Sequence, residues 1–81
     1  MSEGELIALV RRLFLRGDQS FPLAADTDLV GEGICDSLGL VQLATALEDG
    51  VPGLRVADQD VTRENLGSVA AIARFLGGRA E

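Results

Sequence analysis

Between residues 3 and 16 the apolar side chains Leu6, Leu9, Val10, Leu13 and Phe14 recur at intervals of three and four. That period places them on one face of a helix. Glu3 and Glu5 open the segment, and Arg11, Arg12 and Arg16 close it. Acid first and base last complements the helix dipole, and Gly17 is a natural stop. The pattern then breaks. Pro22, Gly31, Gly33 and scattered acids mark a long loop over 17–36, with Phe21, Leu23, Leu29, Val30 and Ile34 available to pin it down.

A second helix is predicted over 37–49, "SLGLVQLATALED", with Leu40, Leu43, Ala44 and Leu47 facing the core. Leu38 and Val41 fall on another side, nearer solvent. Asp36 is placed to cap this helix, and "GVPG" at 50–53 ends it. After the connector "LRVADQDV", Thr62 caps a short helix over 62–66. Ser68 caps a last one over 68–76, with Val69, Ile72, Ala73 and Leu76 inward and Gly77–Gly78 as the stop. No repeat, low-complexity tract or strand pattern appears. The fold class expected is all-α: a small four-helix bundle of three main helices and a short third, forming one domain over 1–81.

Length and composition narrow the function. A chain of 81 residues leaves no room for a second domain. One cysteine forms no internal disulfide, and without histidine no ordinary zinc set exists, so a reducing, cytoplasmic setting and no metal are expected. No apolar run approaches the ~20 residues of a membrane span, and the acidic "MSEGEL" does not read as a signal peptide. Thirteen acids against seven bases give a net charge of −6. That balance argues against nucleic acid and anionic membranes, and for basic patches on protein partners. With no Trp or Tyr, stacking on bases or sugars is disfavoured.

The stretch "GICDSLGL", 33–40, holds the candidate chemistry. As a nucleophilic site it lacks a base, since the chain has neither histidine nor lysine. "GEG" at 31–33 has no lysine after it and is no phosphate loop. No catalytic residue is assigned, and no enzyme activity is expected. The plain alternative makes Asp36 and Ser37 a helix start and Cys35 a small apolar residue at the junction. A redox role for Cys35 is disfavoured by the adjacent Asp36 and Glu32, which oppose a thiolate.

The pattern around the serine resembles the signature of acyl carrier and peptidyl carrier proteins. "DSLGLVQLATALED" opens as their second helix does, "DLVGEGI" precedes it, and "ENLGSVAAIARFL" is similar to their last helix. The resemblance spans nearly the whole chain. It implies that Ser37 receives 4′-phosphopantetheine from coenzyme A, through a separate phosphopantetheinyl transferase. The arm then holds an acyl or aminoacyl group as a thioester. Asp36 is implied to assist recognition and metal-dependent transfer. Leu38 and Val41 are implied as exposed apolar contacts for partner enzymes, and Glu48 and Asp49 as acids that meet basic patches. The implied partners are a loading enzyme and downstream synthases or transferases, acting in trans on a monomer.

Two positions depart from the pattern. Gly39 and Gln42 stand where fatty-acid carriers commonly place acids. "DSLG" with a short aliphatic run is more similar to freestanding carriers of amino acids, glycerate-type or unusual extender units. A specialised pathway is therefore expected, such as polyketide, nonribosomal peptide or antibiotic biosynthesis. Gly39 weakens the helix by ~1 kcal/mol relative to alanine, either for a close approach or incidentally. The competing reading is an unmodified helical adaptor with a carrier-like fold.

Overall fold

The computed structural model describes residues 1–79, and four helices account for its regular structure. In order they are α1 (Glu3–Phe14), α2 (Ser37–Gly50), α3 (Arg63–Leu66) and α4 (Val69–Arg79). No strand occurs among the described residues. The all-helical expectation holds, with a short third helix between longer ones.

Each start is capped from its own sequence. Ser2 and Glu5 form a capping box on α1, Asp36 caps α2 and Thr62 caps α3. Ser68 Oγ accepts from the Ala71 N–H at the start of α4, 3.0 Å. These bonds satisfy N–H groups that helix geometry leaves without partners.

The ends are less legible. α1 was expected to reach residue 16 but stops at Phe14, because Arg16 and Gly17 both turn left-handed, with φ of 52° and 77°. Arg11 holds the reversal: its carbonyl accepts from the Leu15 and Gly17 N–H groups, and its guanidinium donates to the Asp18 and Phe21 carbonyls. α4 runs past the expected stop at Gly77–Gly78 to Arg79. Gly77 does not take the left-handed conformation a stop requires. A helical glycine costs only ~1 kcal/mol, which leaves the helix free to continue. The connector also folds one 3-10 turn, Asp58–Asp60, that no apolar period announces.

α4 packs on α1 and α3, and α2 packs on α1 and α3. Gly50 faces Met1 and Gly39 faces Phe14, so α1 and α2 run antiparallel. Leu6 and Val10 of α1, Leu43 and Leu47 of α2, Leu66 of α3 and Ile72 of α4 are fully buried between them. At ~1.5–3 kcal/mol per buried aliphatic side chain, this shared interior is the main stabilising term. In α4, Ala71 is buried and the expected Ala73 only half-buried.

Candidate functional site

The long loop is held by Leu29, which is fully buried. Its N–H donates to the Gly67 carbonyl, 2.8 Å, tying the loop to the α3–α4 junction. Its own carbonyl accepts from Ile34, 2.9 Å, and Cys35, 3.0 Å. Between these anchors the chain makes a tight turn. The Asp28 carboxylate accepts from the Gly31 N–H, 3.0 Å, and from Arg63 of α3, and Gly33 sits at φ 75°. A Cβ at Gly31 would lie 2.3 Å from Asp28 Oδ2, so a side chain there would have to displace the Asp28 carboxylate from this turn.

This turn delivers Cys35 beneath the start of α2. Asp36 follows, and its Oδ1 accepts from the Gly39 N–H, 2.8 Å, while its carbonyl accepts from Leu40, 3.0 Å. Ser37 is thus the first residue of a helix fixed at both cap and underside. It is exposed, and no hydrogen bond engages its hydroxyl among the described residues. The N–H groups of Ser37 and Leu38 have no intrahelical acceptor, which makes this end favourable to negative charge.

Ser37 stands on the rim of a cleft of about 740 Å³. Phe14 of α1, Val30 and Ile34 of the loop, and Leu40 of α2 give it apolar lining, joined by Val61, Thr62 and Arg63. Asp36 also lines it. The implied cofactor residues, Ser37 and Asp36, therefore share this cleft.

The electrostatics oppose a thiolate at Cys35. Burial pushes the Cys35 thiol up from its ordinary pKa, with Asp36 and Asp28 adding to the effect. Hydrogen bonds from Gly31 and Arg63 hold the Asp28 carboxyl below the usual carboxylate range. Among the described residues no three His, Cys, Asp or Glu side chains converge as a metal set.

The four expected partner residues separate. Leu38 and Val41 are exposed, at 67% and 50%, beside Ser37 on the solvent side of α2. Asp49 is exposed at the far end of the helix, about 18 Å along its axis from Ser37. Glu48 is half-buried and accepts from the Val56 N–H, 2.8 Å, so its carboxylate braces the connector instead of facing outward. A second groove of about 690 Å³ runs between α1 and α2, floored by Leu9, Leu13 and Ala46.

Sequence reasoning missed Phe14 and Arg63 as cleft residues. Phe14 was legible only as core, and Arg63 only as the residue after a cap. Their convergence on Ser37 depends on how the loop folds, which no local period encodes. No helix among the described residues is long and apolar enough to cross a membrane. No family model, no curated protein and no solved structure matches the chain.

Proposed function

We propose that this chain is a carrier protein, non-catalytic by itself, that receives 4′-phosphopantetheine on Ser37. It presents an acyl or aminoacyl thioester to the enzymes of a specialised biosynthetic pathway. The observation that carries this reading is the exposed hydroxyl of Ser37, without a hydrogen bond among the described residues, on a capped helix start beside an apolar cleft. The resemblance of "DSLGLVQLATALED" to carrier proteins points the same way.

The residues present suit the arm. Ser37 is accessible, nothing among the described residues competes for its oxygen, and the open N–H groups of the helix start favour a phosphodiester. The chain has no histidine or lysine, and the neighbouring Asp36 carboxylate is engaged by the Gly39 N–H, so the transferase supplies the base. In that transfer Ser37 Oγ bonds to phosphorus and the pyrophosphate P–O bond of coenzyme A breaks. Adenosine 3′,5′-bisphosphate leaves, and the serine proton passes to the transferase. Once attached, the arm supplies the thiol that holds the acyl group. Asp36 keeps α2 capped and Ser37 in place throughout. Leu38 and Val41 offer apolar surface to a partner, with Asp49 farther along the same helix.

Intact mass tests the reading directly. The protein is incubated with coenzyme A, magnesium and a promiscuous phosphopantetheinyl transferase, with Ser37→Ala in parallel. A gain of one phosphopantetheine on the wild type alone is the expected result. No gain on folded wild type with more than one transferase overturns the carrier reading and leaves the unmodified adaptor, for which the α1–α2 groove and exposed Leu38 and Val41 offer a docking face.

A further inference from the structure

Among the described residues only two charged ones, Asp36 and Arg63, line the cleft beside Ser37, and they have opposite sign. Asp36 adjoins Ser37 on α2. Arg63 opens α3 and lines the same cleft, and it also borders a smaller depression with Asp26, Asp28 and Glu64. Phe14, Ile34, Leu40 and Val61, which also line the cleft, are apolar. Arg63 donates one Nη2–H to Asp28, and no other hydrogen bond of its guanidinium is made among the described residues. Most of its N–H donors therefore stay free, in a planar fork matched to a carboxylate. Asp28 is itself fixed by the Gly31 N–H, so it orients Arg63 without using up its capacity.

We propose that Arg63 selects cargo whose far end carries a carboxylate, with Asp28 as its positioning residue. The proposal rests on the carrier reading of Ser37. An apolar acyl group gains only from the aliphatic and aromatic walls. An anion-ended group gains from those walls and from a charge-assisted contact at Arg63. Asp36 repels the same anion near Ser37, which gives the cleft a direction. Arg63 and Asp28 are 59% and 47% exposed, so the contact is worth a small factor and is screened by salt.

The test loads the wild type from glutaryl- and pentanoyl-coenzyme A, which have equal carbon count and differ in the terminal carboxylate. Intact mass confirms loading before any comparison. Two-dimensional NMR then follows the Arg63 Nε–H and the Val61 and Thr62 amides. With glutaryl, the Nε–H resonance is expected to shift and its exchange with water to slow about two- to fivefold, an effect that fades at raised salt. Pentanoyl leaves that resonance in place. Arg63→Gln removes the glutaryl-specific shifts at Val61 and Thr62, Arg63→Lys retains part of them, and Asp28→Asn weakens them.

Loaded wild type that gives the same Nε–H behaviour with both groups overturns the proposal while the carrier reading stands. So do glutaryl-specific shifts that persist in Arg63→Gln. No mass gain with either thioester counts against the carrier reading, and the proposal falls with it.

Discussion

Gly39 lies directly against Cys35: a Cβ at position 39 would sit 2.7 Å from the Cys35 Cβ and 3.1 Å from the Phe14 ring. The close approach that this glycine allows is therefore made by the chain's own side chains. Gly39→Ala gains ~1 kcal/mol of helix propensity. It also overpacks a junction where the obstructing atom is bonded to the backbone, at a cost of about 1–3 kcal/mol. The steric term wins or cancels the gain, and urea unfolding should show a net loss of about 0–2 kcal/mol. In a Cys35→Gly background the loss should shrink. An alanine variant more stable than the wild type would show that the junction has slack.

Leu29 is the other fixed point of the site. Leu29→Ala empties a fully buried position and should cost about 2–5 kcal/mol. The amides of Ile34 and Cys35 hydrogen-bond to the Leu29 carbonyl, so hydrogen exchange should show whether the loop loosens with the side chain. Faster exchange at Ile34 and Cys35 than across α4 is the expected outcome. Uniform loss of protection would mean that the loop is not a separate element.

The helices were legible because each carries its own instructions: an apolar stripe and a capping side chain, as Asp36 and Leu40–Leu47 do for α2. Their ends were not. Gly17 stops a helix and Gly77 does not, although both are glycine, because Arg11 captures the chain after Gly17. Ser37 and the outward turn of Leu38 and Val41 could be read from period and position. Glu48 could not. Its place in α2 suggested an outward acid, but the connector folds back and offers it the Val56 N–H. The cleft beyond Ser37 was hidden for the same reason, since Phe14 and Arg63 are far apart in sequence and line one cleft only in the folded chain.

Two groups give stability opposite pH dependences. The Asp28 carboxyl titrates below its ordinary value, chiefly through the Gly31 N–H and then Arg63. Its contribution is whole above the ordinary carboxylate range and is lost as pH falls through the folded value. Asp28→Asn should therefore flatten the acid limb of a Tm-against-pH curve. The Cys35 thiol titrates above its ordinary value because it is buried. Its contribution is present below the ordinary thiol range and is lost as pH rises toward the folded value. Cys35→Ala should flatten the alkaline limb. Native Cys35 should also react with a disulfide reagent much more slowly than the urea-unfolded chain does. Equal rates would place the thiol outside the junction.

The face of α2 next to Ser37 separates binding from folding. Leu38→Glu and Val41→Glu change exposed side chains and should alter stability by no more than ~0.5 kcal/mol. If transferase and synthases grip this face, kcat/KM for modification of Ser37 should fall about tenfold, as for loss of a buried apolar anchor. Glu48→Ala should behave in the opposite way. It removes the acceptor of the part-buried Val56 N–H, costs about 1–2 kcal/mol of stability, and leaves kcat/KM of the folded protein near wild type. Asp49→Asn, at an exposed position, should leave stability unchanged and reveal by its kcat/KM whether a basic partner surface reaches that far. A Glu48→Ala variant that folds as well as wild type yet is modified slowly would return this carboxylate to the partner face.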